Sequence, residues 1–423
     1  MSSQSPLPDG ESAAAHVDGE RLWRRLGELA ALGATGGGGV RRLALGPEET
    51  LARRLVGRWA EARGFSVTVD GIGNLFVRRE GRSPSAPPVL TGSHLDTQPA
   101  GGRFDGAFGV LAALEVLEAL EDGEVSTDAA VVAVAWTNEE GARFQPGTMG
   151  SAVFAGELEL ASALAIQDSQ GVTVGEALAR VLEESGVGEP CSTGFPLSAY
   201  VEAHIEQGPL LEAARVPVGA VTGIQGLRWF EVVVLGEEGH AGTLPATRRR
   251  DALMSAVDVV HALRAVLADP EDLLRFTVGR FECSPGSPNT IPGRVLFTID
   301  LRHPDAAVLT ARADLIAQTC RDAAGPCEVS VQETVSSSPV VFDPRIVELV
   351  ERSARRLGLD CLRLPSGAGH DASHMARVCP TGMLFVPCAG GRSHTETESA
   401  EPGDLAAGAR VLAEVVCELA RAR

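Results

Sequence analysis

Residues 91–110, TGSHLDTQPAGGRFDGAFGV, follow the short apolar run at 88–90 and lead into the helical pattern GVLAALEVLEALED. They place His94, Asp96 and Asp105 in a glycine-rich setting where a strand hands over to a helix. In open α/β sheets, reactive groups gather beyond the carboxyl ends of the strands, so this junction is a natural place for a site. Upstream, RLWRRLGELAAL and PEETLARRLVGRWAEARG read as helices on either side of the glycine run at 36–39. Glu48 and Glu49 favour a helix start and Gly64 a stop. FSVTVD, NLFVRR, PPVLTGS and AAVVAVAWTNEE read as strands. The alternation predicts an α/β class, with a sheet packed between helices. Glu139 and Glu140 stand just after a strand run, as His94 does.

The pattern changes near residue 214. VPVGAVTGIQGLRWFEVVVLGEEGHAG reads as paired strands with a glycine turn, RRDALMSAVDVVHALRAVLAD as an amphipathic helix, and FTVGRFEC and VLFTIDLRHP as strands. Alternation then resumes with the helix PRIVELVERSARRLG, the turn PSGAGHDAS, the strand TGMLFVP, the loop CAGGRSHTETES and a last helix. The expected organisation is a disordered tail at 1–18 and a catalytic α/β domain in two parts, 19–213 and 331–423. A smaller α+β domain, residues 214–330, is inserted between them.

Composition excludes several classes. The 423 residues carry 37 basic and 56 acidic side chains, a formal charge of −19, and the densest basic run is Arg248–Arg249–Arg250. Nucleic acid and anionic membranes are therefore not expected partners. No apolar run approaches the roughly 20 residues that span a bilayer. The eight cysteines form no CxxC pair; the expectation is buried free thiols in a reducing cytoplasm.

Four short segments hold most of the histidines and acids of interest: His94/Asp96/Asp105, Glu139/Glu140, His204 with Glu206 in VEAHIEQGP, and His394 in GRSHTETE. Each has an ordinary structural reading. A histidine at a strand end is usually satisfied locally, Asp105 sits where it could cap a helix, and adjacent glutamates usually face solvent. As a set they match a divalent metal centre, because mixed imidazole and carboxylate ligands suit zinc, manganese, cobalt or nickel. A carboxylate bridging two ions makes a two-metal site, and one acid of the Glu139/Glu140 pair can bind metal while the other serves as general base.

Eight segments, GSHLDTQPAGGRFDGAFGV, WTNEEGARFQPGTMGS, EAHIEQGPLLE, GEEGHAGTLPATRRRDAL, SPNTIPG, DLR, SGAGHDA and FVPCAGGRSHTETE, occur in this order across about residues 20–420. The chain thereby resembles the M20 amidohydrolases, and within them the hydantoinase/carbamoylase subfamily. The resemblance implies a dinuclear amidohydrolase that cleaves N-carbamoyl-L-amino acids. β-Ureidopropionase, allantoate amidohydrolase or another small-molecule amidase are the alternatives. A catalytically silent metal-stabilised scaffold is a further reading that the intact ligand set argues against. It also implies two ions per subunit, zinc or manganese first and cobalt or nickel next. Asp105 would bridge, with Glu140 and His394 on one ion and His94 and His204 on the other. Asp96 would steer the His94 ring, and Glu139 would be the general base. The inserted block would be a lid and dimerisation domain in a cytoplasmic homodimer, its His240 reaching the partner's site. Asn289 and Arg302 would hold the substrate carboxylate, and Gln207 its polar end. Gly369 gives close backbone approach, and His370 and Asp371 line the site or stand behind its ligands. His16, His261, His303 and His374 match no family ligand and are read as structural or exposed.

Two places depart from the family pattern. Leu244 and Ala246 stand where relatives carry a hydroxyl and a thioether after GHAG, and Glu396 where they carry proline. These changes bear on the side-chain pocket and leave every implied metal ligand in place.

Overall fold

The computed structural model describes residues 12–421. Residues 1–11 of the expected tail lie outside the described residues. Residues 12–18 are not a loose tail: Ala13–His16 form a 3-10 helix with Ala13 and Ala14 buried. Two small side chains fit where the Ala14 amide donates to Glu414 Oε1 at 3.3 Å. Asp18 then caps the helix Gly19–Ala30, accepting from the Glu20 and Arg21 amides.

Two compact units emerge, Met1–Gly223 with Val341–Arg423, and Ile224–Val340. The first is built on a mixed sheet, ten-stranded among the described residues. Its centre is four parallel strands in the order Thr381–Val386, Ala199–Ile205, Val89–His94 and Val131–Trp136. Each of the four is buried along its whole length. They read as continuous rather than alternating apolar runs because helices cover both faces. The flanking strands Val218–Ile224 and Leu75–Arg79 pair antiparallel with their neighbours.

Helix Ala107–Asp122 begins one residue after Gly106, whose φ of 64° suits glycine. A Cβ there would lie 2.4 Å from the His94 ring. Inside the helix, a Cβ on Gly109 would meet the Ala203 carbonyl oxygen at 2.3 Å, so the helix rests directly on the backbone of the His204 strand. Buried Glu118 in the same helix takes both Arg25 terminal nitrogens at 2.9 Å, joining it to the first helix. A buried acid is tolerated only with such a partner.

The second unit has a four-stranded antiparallel sheet, in the order Arg275–Ser284, Arg294–His303, Gly226–Leu235 and Glu328–Ser337. Helices Ala252–Val266 and Ala306–Ala323 pack on the face that carries Phe230, Val232, Val234, Phe297 and Ile299. The expected boundaries at 214 and 330 thus move to 223/224 and 340/341. The expected strand pair near 218–235 is also corrected. Val218–Ile224 belongs to the large sheet and Gly226–Leu235 to the small one, with only Gln225 between them. The first strand is buried on nearly every residue and so fits a covered sheet, whereas the second alternates. Among the described residues, no helix is long and apolar enough to cross a membrane.

Replacing Gly109 by Ala should lower stability by about 1–3 kcal/mol through overpacking. In an open helix the same change would raise stability by roughly 1 kcal/mol. Thermal unfolding of the variant gives the sign directly.

Candidate metal centre

The centre lies at the carboxyl ends of the parallel strands. His94 closes its strand, and Asp105 follows at the mouth of helix Ala107–Asp122. Glu139 and Glu140 lie three and four residues beyond Val131–Trp136, and His204 is the penultimate residue of Ala199–Ile205. His394 comes from the loop after Thr381–Val386. Asp105 does not cap its helix. Its two oxygens instead face different partners. Oδ1 lies 3.6 Å from His94 Nε2 and 3.2 Å from His204 Nε2. Oδ2 lies 3.4 Å from His394 Nε2, which is also 3.4 Å from Glu140 Oε2.

These spacings test the fit of a metal. Two donors each about 2.0–2.1 Å from a tetrahedral ion stand roughly 3.4 Å apart. The groups His94/Asp105/His204 and Asp105/Glu140/His394 each bring their donor atoms within 4.8 Å of one another. The ring orientations agree as well. His94 Nδ1 is 2.9 Å from the Asp96 carbonyl oxygen and His204 Nδ1 is 2.9 Å from the Ile205 carbonyl oxygen. Each Nδ1 is thus turned to a carbonyl, and Nε2 is the nitrogen that faces Asp105 and would serve as the donor to an ion. The donors fit divalent ions.

Charge leads to the same conclusion. Burial, the largest influence, pushes Glu139 well up, helped by the charges of Asp371, Glu140 and Asp96. It pushes Asp96 up to about 7 and Glu398 up to about 7. For Asp105, burial is outweighed by the hydrogen bonds and charges of His204 and His94, which hold it well below the carboxylate range. In His94, the charge of Glu139 and its bond to Asp105 overcome burial and raise it well above 6.5. His204 is raised in the same way, with Asp105 as its main partner. Crowded buried acids that draw protons onto their histidines form a site short of positive charge, which cations would supply.

Some expected roles change. Asp96 steers His94 with its main-chain oxygen, while its carboxylate stands 3.7 Å from Nδ1. The carboxylate instead accepts the Glu139 and Glu140 amides, each at 3.1 Å, and so fixes the turn that presents both acids. His370 packs against His204. Its buried ring meets His204 edge-on at 4.6 Å, and its Nε2 bonds Ser366 Oγ at 2.9 Å. Burial, then the charge of His204, holds His370 well below 6.5, so it is neutral. Gln207 donates to Asp105 Oδ2 at 2.8 Å, and its Oε1 is left without a partner. Gly369 is exposed.

In the second unit, His240 and Asn289 come together in one ribbon, where Gly239–His240 pairs with Thr290–Ile291 and the Ala241 amide donates to the Asn289 carbonyl oxygen. His240 is exposed, and its Nδ1 accepts the Gly242 amide at 3.0 Å. The Arg302 guanidinium is paired with Asp300 at 2.8 Å.

Sequence reasoning missed four supports. Ser393 Oγ donates to Asp105 Oδ2 at 2.8 Å, and Glu398 accepts the Phe104 and Asp105 amides at 2.8 and 3.1 Å. Gln98 Nε2 donates to Glu140 at 2.8 Å. Glu202, buried beneath His204, accepts from Ser93 Oγ, the Tyr200 hydroxyl and the Ala372 amide. Only Glu202 left a readable signal, since its spacing of two from His204 puts both on one strand face.

Residues 90–418 match the peptidase family M20/M25/M40. The chain belongs to that family. It is similar to an N-carbamoyl-L-amino-acid amidohydrolase of Rhizobium meliloti, 41% identical and covering 96% of this chain and 97% of the relative. An allantoate amidohydrolase of Bacillus subtilis is 35% identical, covering 93% and 95% of the two chains. Among solved structures, an amidase of the hydantoinase/carbamoylase family from Burkholderia multivorans superposes with a TM-score of 0.90 at 47% identity, covering 96% and 98%. Within the M20 family the chain falls in the hydantoinase/carbamoylase branch, as its motifs implied.

Metal and pH effects on stability follow from these groups. Asp96, Glu139 and Glu398 bind protons more readily folded than unfolded, so their contribution is full below roughly pH 4 and is lost as pH rises through their raised values. His94 and His204, also raised, contribute fully below roughly pH 6.5 and lose it as pH climbs further. Asp105, held low, contributes fully above roughly pH 4 and loses that contribution as pH falls further. Divalent ions require the deprotonated groups, so their binding strengthens as pH rises. The difference in Tm between metal-loaded and chelated protein should therefore widen from pH 5 to pH 8. The Asp105→Asn variant should show almost no difference at any pH.

Proposed function

We propose that the protein is a metal-dependent amidohydrolase that cleaves the carbamoyl C–N bond of N-carbamoyl-L-amino acids, giving the amino acid, carbon dioxide and ammonia. The observation that carries this reading is Asp105. It turns one oxygen to His94 and His204 and the other to His394, in a chain alike over nearly its whole length to an amidohydrolase of that name. We read the centre as holding two divalent ions, zinc or manganese ahead of cobalt or nickel. Asp105 would serve both, with Glu140 and His394 holding one and His94 and His204 the other. When bound, the ions supply Lewis acidity and make water ionisable near neutral pH.

The remaining chemistry belongs to side chains. Glu139 Oε2 stands 3.5 Å from His94 Nε2 in a buried setting that strengthens its hold on a proton. That suits a group which takes a proton from water and delivers it to the leaving nitrogen. Asp96 keeps Glu139 and Glu140 at fixed positions through their amides. Gln207, already on Asp105, offers its free Oε1 to the substrate, and Gly369 allows close backbone approach. Arg302, its fork aligned by Asp300, and Asn289 hold the α-carboxylate; a guanidinium matches that group bidentately.

We also read the protein as a cytoplasmic homodimer in which His240 polarises the scissile carbonyl in the partner subunit's site. Its exposed ring, with Nδ1 already satisfied and Nε2 turned loose, supports that role. Met254 and Val257, exposed one turn apart on a helix of the second unit, support an association surface. A second reading, allantoate hydrolysis, is favoured by the Bacillus subtilis relative.

Ammonia release by metal-reconstituted protein separates these readings. The panel contains N-carbamoyl-L- and D-amino acids, N-carbamoyl-β-alanine, allantoate and N-acetyl and dipeptide amides, with and without chelator. Chelator-sensitive turnover of the L-carbamoyl compounds is expected. Turnover confined to allantoate or to another amide would overturn the substrate while keeping the centre. Glu139→Gln should lower kcat on the order of 10²- to 10⁴-fold with bound metal unchanged.

A further inference from the structure

Thr148 is out of place by local rules. It precedes the helix Met149–Phe154 in the left-handed region, φ 49° and ψ 30°, a conformation that a β-branched side chain rarely adopts. A threonine before a helix normally caps it with its hydroxyl. This one makes no cap hydrogen bond. Its Oγ1 lies 2.9 Å from His374 Nε2 and 2.8 Å from the Gly147 carbonyl oxygen. On the far side of the ring, His374 Nδ1 is 3.1 Å from Glu157 Oε1, which Arg377 Nε also holds at 3.0 Å. A hydroxyl, an imidazole and a carboxylate thus stand in line, drawn from three separate segments of the first unit.

The line ends on Glu139. The Thr148 amide donates to the Glu139 carbonyl oxygen at 2.7 Å, while the Glu139 amide donates to Asp96. The peptide groups on both sides of Glu139 are therefore gripped, one by Asp96 and one by Thr148. The Thr148 carbonyl accepts Ser151 Oγ at 3.1 Å, and the same hydroxyl bonds Asp371 in the turn that leads to His374. A strained residue persists only where its surroundings over-determine it, and such residues gather at working sites. Here the surroundings are His374 and its carboxylate.

We propose that Thr148, His374 and Glu157 form a positioning relay that holds the main chain of Glu139 at its working place. The proposal rests on the reading of Glu139 as proton carrier and is independent of which amide is cut. His374 thereby moves from an unassigned histidine to a positioning residue. Small displacements of a reacting group are costly, and groups that orient others commonly change activity by 10- to 100-fold.

The test uses full-length, metal-reconstituted protein and its best substrate. Thr148→Ser keeps the hydroxyl and should retain kcat within about twofold. Thr148→Gly relaxes the backbone and removes the hydroxyl. It should lose kcat on the order of tenfold, with KM and metal content unchanged and Tm no lower than wild type. His374→Ala and Thr148→Val should fall similarly in kcat. Retained kcat in Thr148→Gly, or a loss shared equally with KM or bound metal, overturns the relay. Near-wild-type turnover in Glu139→Gln would instead remove the proton-carrier reading on which the relay stands, so the two failures are told apart.

Discussion

The four carboxyl-end segments of the large sheet meet at Asp105, a buried acid that stays ionised only because histidines surround it. His94 and His204 approach one oxygen, and His394, Ser393 and Gln207 the other. Burial by itself pushes its carboxyl upward, and the hydrogen bonds and charges of His204 and His94 outweigh that. Its place just ahead of a helix N-terminus adds the favourable end of the helix dipole. Glu398 fixes it further by taking the Phe104 and Asp105 amides. Moving this one carboxylate would leave the surrounding acids and imidazoles with nothing in common to face.

The loops around that group carry backbone strain. Asn138, Thr148, Gln207 and His394 all have positive φ, between 49° and 57°. Each lies in or beside a loop that brings a polar group to the centre. Such geometry is unfavourable in isolation and is held by contacts from other segments. The rigid sheet supplies that hold: strands buried on both faces leave their ends little freedom, so the loops inherit fixed anchor points.

Much of this was legible in the sequence. The apolar runs and caps located nearly every strand and helix that frames the centre, and the ordered motifs contain the residues that the fold brings together around Asp105. The misses share a cause. Nothing local in residues 218–235 says that two consecutive strands serve different sheets, because the deciding partner, Thr381–Val386, is more than 150 residues away. Residues 13–16, assigned to the expected tail, are held against a helix near the other end of the chain. The family resemblance set Asp96 behind the His94 ring, and its carboxylate serves backbone amides some forty residues on. Ser393, Gln98 and His374 carry no signature at all, since a hydrogen bond across the fold is invisible to periodicity.

The strand order has a bearing on how the chain is made. Thr381–Val386 slots between Ala199–Ile205 and Val218–Ile224, two strands already synthesised long before. Until it emerges, a ribosome-bound chain carries a gap in the middle of its sheet, with two apolar strands exposing unpaired edges. Non-local pairing of this kind is slow and prone to association, so chaperone protection matters most for chains that have most of their length but not this strand. His394 arrives later still, so the ring of groups that faces Asp105 closes among the last events in the birth of the protein.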